Sequence, residues 1–574
     1  MPLQAIYTER NNCQDCYKCI RHCPVKAIKI EDHSASIINN LCLYCGKCVQ
    51  VCPVNAKKVR NDLNIAKYHL TTNNQVVLSL APSYKSEFTD YTTSQLLEGL
   101  HRLGFFAVSE TAIGAELVTR ATKKWLDEQP NGVYYSSCCP SIVRLIQKYY
   151  PEQINRLAPI DSPMQAHAKF IKKMYGDNTL VIFAGPCIAK KQESEDYKGG
   201  ADLAITFAEL REWLKNDGLT PDFLSKKNEY SFAPYSANNG SIYPVDGGMI
   251  ATLKNNVAIT DTSFMSFSGL QNVKGIMEQL PEKYEGKLFI ELMVCEGGCI
   301  NGPIASSPKS TIEKRVVTLK QTPSITTNIN KIEDSEIDLS TNYLLVKPAT
   351  HCIHSAKEIQ DALKIVGKIS DKDELNCGGC GYESCRKFAE AMLDGKAERN
   401  MCVSYMRKVA QNKATVLLQK MPYGVVLVDD KLKIIESNQN FARMLGSEAA
   451  EIYSVKPGME GANLKKLTPL YKLFANALEK GLDEFNKDIR MEDGLYHLSI
   501  FSIQQFKIVC GIIHQLDQQH FSKNVLMERL QQVISENLAT AQKAAFILGE
   551  NASRTETMLH NIIDSYQTGE DDNE

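Results

Sequence analysis

Long apolar stretches are missing from these 574 residues: no run of 18 or more apolar residues occurs, so a helical membrane span is not expected. An excess of one charge is missing too. With 65 Lys and Arg against 67 Asp and Glu, the net charge is only -2, and no polyanion-binding surface or nucleic-acid partner is announced. The opening MPLQAIYTER has no apolar core of the kind a secretory signal needs, so a cytoplasmic location is expected. What is there is an ordinary globular balance, 43% hydrophobic and 23% charged. The length suggests roughly four domains. Against that plain background stand 19 cysteines. In a reducing compartment so many thiols more often bind metal or do redox work than form disulfides.

Two runs share one spacing. Cys13, Cys16, Cys19 and Cys23 are followed by Pro24, and Cys42, Cys45, Cys48 and Cys52 by Pro53. Each run resembles the bacterial two-cluster ferredoxin pattern, in which the fourth thiolate of a run serves the other cluster. That resemblance groups Cys13, Cys16, Cys19 and Cys52 round one 4Fe-4S cubane, and Cys42, Cys45, Cys48 and Cys23 round a second. Between the runs, Ala27 to Ile30 and Ala35 to Ile38 flank a polar turn and predict a small hairpin. CxxC pairs also make zinc sites, but two complete runs with trailing prolines favour clusters.

A dispersed set follows: Cys138 and Cys139 in SSCCP, Cys187 in GPCIAKKQE, and Cys295 and Cys299 in ELMVCEGGC. Each word follows an apolar run, Gly132 to Tyr135, Leu180 to Ala184 and Leu288 to Val294. These predict buried strands of an α/β domain, with the thiols just past the strands' carboxyl ends, where such sheets place ligands. Neighbouring side chains on extended chain point to opposite sides, so Cys138 and Cys139 are not expected to serve one cluster together.

These three words, in this order, resemble the catalytic domain of the iron-only (FeFe) hydrogenases. The resemblance implies an H-cluster, a 4Fe-4S cubane bridged to a two-iron subsite bearing CO, cyanide and a dithiolate. Carried over by motif, Cys139, Cys187, Cys295 and Cys299 hold the cubane, with Cys299 as the bridge. Cys138 matches the proton-donating thiol, Lys190 the lysine that binds a cyanide, Glu193 its carboxylate partner, and Met293 a position lining the cluster. Three departures stand out. Gly185 replaces the usual methionine before the PC pair and is expected to open space. Ile300, Asn301, Gly302 and Pro303 replace a glycine-rich stretch. In a gapless register, Thr122 and Trp125 fall where catalytic members carry relay glutamates. Because a positioned acid or base contributes about 10²–10⁴-fold, this predicts low turnover rather than loss of binding. Relatives with such departures are regarded as sensory.

A third set, Cys377, Cys380, Cys385 and Cys402, is interleaved with Gly378, Gly379 and Gly381 and resembles a small 4Fe-4S domain of some sensory hydrogenases. Cys352 and Cys510 are read as a partly buried thiol and a core residue. Residues 305 to about 345 read as irregular. A helix is predicted from Cys402 to Leu418, stopping at Met421-Pro422. Beyond it, β-rich runs either side of Asp429-Asp430, a helix opened by Ser437-Asn438, and closing strands Leu495 to Ile503 and Phe506 to Ile513 resemble a PAS domain. His497 and His514 are candidate axial ligands there, though no PAS cofactor is expected. In the tail, Leu526, Leu530, Val533, Asn537, Thr540, Ala544 and Ile547 form a heptad seam, a spacing that an ordinary amphipathic helix packed on the PAS core explains nearly as well, and a dimerisation or partner-binding helix is expected.

The expectation is therefore a multidomain α+β and α/β protein. Its parts are a two-cluster ferredoxin-like domain (1–62), an FeFe-hydrogenase-like α/β H-cluster domain (63–345), a small 4Fe-4S domain (346–412), a PAS domain (413–517) and a C-terminal helix or coiled coil (518–574). The resemblance implies H2 and protons as substrates, a ferredoxin-type redox partner, a phosphatase or kinase as signalling partner, and a homodimer through the PAS unit and tail. The competing readings are an iron-sulfur adaptor without the diiron subsite and a fully catalytic hydrogenase.

Overall fold

The computed structural model describes residues 4–224, 230–256, 262–280, 284–320, 337–344, 346, 348–349, 353–491 and 494–516, and singly 531, 534, 535 and 538. Two compact units are formed, residues 1–398 and 399–574. The tail seam from Leu526 to Ile547 and Cys352 lie outside the described residues.

In the first unit, residues 6–59 close through an antiparallel pair, Ile6–Thr8 with Lys57–Val59. The predicted hairpin is present as Ile28–Glu31 paired with Ser34–Ile37. After the second cysteine of each run the chain turns through the left-handed region, at Tyr17 (φ 59) and Gly46 (φ 75), into the short helices Lys18–His22 and Lys47–Val51.

Two parallel sheets follow. One has four strands in the order Ala107–Glu110, Val76–Leu80, Leu180–Gly185 and Leu203–Thr206; the other has three, in the order Thr262–Ser268, Lys287–Met293 and Gly132–Tyr135. Strands buried on both faces read as continuous apolar runs, and Val76–Leu80 is buried at every position. Helices such as Thr111–Glu128 and Pro163–Tyr175 cover the sheets. The three predicted strands form with ends shifted by at most one residue, and each cysteine word lies just past a carboxyl end.

One expectation fails: within 305–345, Thr311–Lys320 is helical. Its start is secured by Ser310, whose hydroxyl accepts the Glu313 N–H at 3.3 Å while the Glu313 carboxylate accepts the Ser310 N–H at 2.8 Å, a capping box that outweighs the polar composition. Further on, helices Ala356–Ile365 and Cys385–Leu393 pack on one another through Leu363 and Ala389.

The second unit opens with helix Val403–Lys420, which ends before Pro422 as predicted. A five-stranded antiparallel sheet follows, in the order Ile434–Ser437, Gly424–Asp429, Ile508–Gln515, Gly494–Gln504 and Glu484–Met491. Asn438 caps the helix Gln439–Met444 by accepting the Phe441 N–H at 2.9 Å. Helices pack one sheet face round Phe441, Phe474 and Leu498. His497 and His514 are directly paired on neighbouring strands. Cys510 is buried beside Val425 and Ile512, a core thiol as read from sequence. Among the described residues no helix is long and apolar enough to cross a membrane.

Candidate functional site

The carboxyl ends of three strands converge on one cavity of about 120 Å³, lined by Cys138, Cys139, Cys187, Lys190, Met293, Cys295 and Cys299 among others. The two sheets make this possible. Pro140 starts a helix immediately after Cys139, which stands as its N-cap in extended conformation. Gly297 (φ 75) and Gly298 (φ 101) then turn the last word back; a Cβ on Gly298 would lie 2.8 Å from the Asp246 nitrogen, so only glycine fits that close approach.

Four thiols form a group. Burial first, then the charges of Cys139, Cys187 and Cys138, push the Cys299 thiol up, and Cys295 is raised by burial and by Cys299, Cys187 and Cys139. Burial and Cys139 push Cys187 up to about 11. Such mutual repulsion in a dry site is relieved when a metal cluster binds the thiolates and supplies positive charge. Lys190 Nζ lies 2.7 Å from Glu193 and donates to Ser162 Oγ at 2.9 Å. Its burial, which opposes charge, is outweighed by Glu193, Cys187 and Cys139, so it is held as a cation facing the thiols.

Cys138 stands apart from the four. Its thiol donates to Met249 Sδ at 3.7 Å, and burial followed by the charge of Glu291 pushes it up. Glu291, 1% exposed, is a residue the sequence reading missed. It accepts the Met249 and Ile250 N–H groups at 3.3 and 3.2 Å, yet burial still pushes its carboxyl up to about 8. The available signal was an acid inside the apolar run LFIELMV. Tyr243 also lines the cavity, and its hydroxyl pairs with Thr119 Oγ1 at 2.7 Å. The helix Thr111–Glu128 contributes Thr111 and Ala115 to the lining, not Thr122 or Trp125. Thr122 is buried, and Trp125 packs edge-on against Tyr134 at 5.3 Å.

The space expected at Gly185 is filled. A Cβ there would lie 2.6 Å from the Phe183 ring, which lines the cavity in its place. The altered stretch after Cys299 also packs closely: a Cβ on Gly302 would meet the Pro186 oxygen at 2.6 Å, and Pro303 seats against Gly46.

In the two ferredoxin-type runs, the fourth cysteine of each run acts on a thiol of the other. Cys19 is pushed up to about 12 by burial, and of the neighbouring thiols Cys16, Cys13 and Cys52 raise it. Cys45 is pushed up to about 12 by burial and by Cys23 and Cys42. This second group meets the cavity: Tyr44 and Cys45 line it, and the charge of Cys45 reaches Cys295. The helix after Cys139 clamps the loop, Ser141 Oγ donating to Leu43 O at 2.8 Å, Lys148 Nζ to Cys42 O at 3.0 Å and Tyr149 OH to Leu41 O at 2.8 Å. Among the described residues no group of three or more Cys, His, Asp or Glu side chains is arranged to hold a single metal ion. In the third set, Cys377, Cys380 and Cys385 belong to the first unit and Cys402 to the second.

Residues 74–303 match the model of the iron only hydrogenase large subunit, C-terminal domain. Those residues therefore form a domain of the iron-only hydrogenase type. Residues 12–56 match a 4Fe-4S dicluster domain and residues 373–404 a putative Fe-S cluster domain, so the chain is an iron-sulfur protein. It is 26% identical over 301 residues to iron hydrogenase 1 of Clostridium pasteurianum, covering 42% of this chain and 51% of that one. It is 26% identical over 264 residues to the NADP-reducing hydrogenase subunit HndD of Solidesulfovibrio fructosivorans, covering 37% and 45%. It is also 25% identical over 285 residues to a probable cytosolic Fe-S cluster assembly factor, oxy-4, of Caenorhabditis elegans, covering 41% and 62%. The chain thus spans about half the length of these two hydrogenases.

Proposed function

We propose that this protein is a sensory hydrogenase: it binds or slowly oxidises H2 at an H-cluster and passes the resulting redox state through 4Fe-4S cubanes to a PAS signalling module. The observation that carries this reading is one cavity holding four repelling thiols, the Lys190 cation and the separate thiol Cys138. Cys139, Cys187, Cys295 and Cys299 would hold the cubane and, through Cys299, the two-iron subsite, which supplies H2 cleavage when bound. Lys190, fixed by Glu193 and Ser162, offers a donor to a cyanide. Met293 and Phe183 keep the lining apolar and exclude water. Cys138 and the protonated Glu291 carboxyl are the proton-bearing groups at the cavity wall. Beyond them lie the Tyr243 and Thr119 hydroxyls, and the Glu116 carboxylate near Tyr243 is occupied in accepting the Asn238 and Gly240 N–H groups at 2.6 and 3.3 Å, which supports slow proton exchange and a sensor's turnover.

In this reading the five-stranded unit is the PAS domain, its sheet order supporting the assignment, and a cytoplasmic kinase or phosphatase receives the signal. A ferredoxin-type carrier exchanges electrons at the N-terminal domain. The adaptor reading, cubanes without a diiron subsite, keeps one point in its favour, the likeness to an assembly factor. Infrared spectra of protein matured with the hydrogenase assembly machinery separate the two. Metal-bound CO and cyanide bands are expected; a matured, fully iron-loaded protein without them would sink the sensory hydrogenase.

A further inference from the structure

The loop carrying Cys377 and Cys380 is seated on the N-terminal domain. Lys26 Nζ donates to Gly381 O at 2.8 Å and also to Ile20 O and Arg21 O at 3.2 and 3.3 Å. The same ammonium stands 5.9 Å from the centroid of the Tyr382 ring. Gly381 (φ 90) is pressed so close that a Cβ would lie 3.0 Å from Ile20 Cγ2 and 3.2 Å from the Arg21 nitrogen. A second tie joins the Ile30 N–H to Lys396 O at 3.1 Å. Lys26 and Tyr382 both sense two particular thiols. Burial lowers the Lys26 ammonium against the pull of Cys23, Glu383 and Cys380, and the Tyr382 phenol is pushed up by burial, then by Cys380 and Cys23.

Cys23 is grouped with Cys42, Cys45 and Cys48, since burial and then Cys45, Cys42 and Cys23 raise Cys48. That inner group has the cavity on its other side, through Cys45 and Cys295 and through the seat of Pro303 on Gly46. The thiols that act on Lys26 and Tyr382 are Cys23 and Cys380; of the outer group, Cys13, Cys16, Cys19 and Cys52, only Cys19 comes near, one residue before the Ile20 on which Gly381 packs.

We propose that the loop 376–382 is an electron-exit surface seated on the inner cysteine group, with Lys26 as its positioning residue, so that the route from the cavity to the C-terminal cubane bypasses the outer group. This rests on the reading that these thiols carry cubanes. H2 oxidation yields two protons and two electrons. One electron crosses the Lys26 contact at a time, oxidising the cubane of Cys23, Cys42, Cys45 and Cys48 and reducing that of Cys377, Cys380 and Cys385, with no bond made or broken. The Lys26 cation between the two favours the added electron on either side.

The test uses the full chain reconstituted with iron and sulfide alone, without the diiron precursor, so that it is independent of hydrogen chemistry. After reduction with dithionite, the paramagnetic signal that disappears in C380S is expected to be broadened by coupling to a neighbouring cubane. That broadening should survive C16S and vanish in C45S. Lys26→Met should lower the potential of the C-terminal cubane and slow its photochemical reduction about tenfold, as loss of a charge-assisted contact implies, and Lys26→Arg should restore both. If C45S does not fold, Gly381→Val supplies the second probe: iron content retained, coupling lost. Coupling that follows C16S instead of C45S, or a Lys26→Met protein with unchanged potential and rate, overturns the proposal. Coupling found in a protein that never shows CO and cyanide bands after maturation would uphold the exit surface while the hydrogenase reading fails.

Discussion

The two cysteine runs, 13–23 and 42–52, are copies in spacing and opposites in surroundings. At matching positions one has Tyr17 and the other Gly46, both in the left-handed region. Tyr17 is buried, its hydroxyl donating to Asp15 at 3.0 Å, and it feels the charges of Asp15 and Glu398. Gly46 instead leaves room for Pro303 and Ile188 of the hydrogenase-like domain, the latter 2.8 Å from where its Cβ would be. The difference teaches that two runs of one spacing share thiols with each other yet face different neighbours, and that on the proposed electron route a run's place is set by what packs against it.

The largest expected effect breaks the comparison outright. In matured protein under H2, Cys45→Ser should abolish reduction of the C-terminal cubane, while Cys16→Ser should leave it reducible, as followed by electron paramagnetic resonance. Next comes the anchor between the inner run and the cavity. Lys191 is fully buried, 2.7 Å from Asp62 and 2.8 Å from Glu209, and so ties the helix after Cys187 to the segment leaving the ferredoxin-type domain. Lys191→Met strands two buried carboxylates and should cost about 3–5 kcal/mol in denaturant unfolding.

Copying the outer run into the inner one sharpens the contrast: Gly46→Tyr should cost about 2–4 kcal/mol through left-handed strain and overlap with Pro303, measured by the same unfolding. Glu291 supplies a pH test. Burial raises its folded value to about 8 from the ordinary 4.5, so between those values the folded state keeps a proton that the unfolded chain releases. Stability should therefore fall as pH rises from about 4.5 to about 8 and level off above, by on the order of 5 kcal/mol, and Glu291→Gln should flatten the profile. The smallest effect is expected from Ser141→Ala, which removes one clamp on the loop before Cys45 and should cost about 1 kcal/mol.

Much of this was legible beforehand. Continuous apolar runs predicted the three strands, and the cysteine words were placed correctly at their ends, because strand burial and ligand spacing are short-range signals. Pro422 marked the end of the helix Val403–Lys420 for the same reason. The strand Glu484–Met491 was missed: its exposed, charged residues lack the apolar alternation that announces a strand, and it forms by pairing with Gly494–Gln504. Gly185 was misread because the ring that fills its space belongs to Phe183, two residues away on the same strand face.

By itself, the sequence determined which strand ends carry the thiols, since apolar runs and the words that follow them are written along a few residues, whereas the grouping of thiols from distant words was only what the family resemblance implied. Only the tertiary structure decided that Glu291 shares a wall with Cys138, that Pro303 seats on Gly46, and that Lys26 joins the Cys380 loop to the Cys23 group. Those contacts join residues far apart in the chain, and their chemistry comes from burial and proximity, which no local pattern encodes.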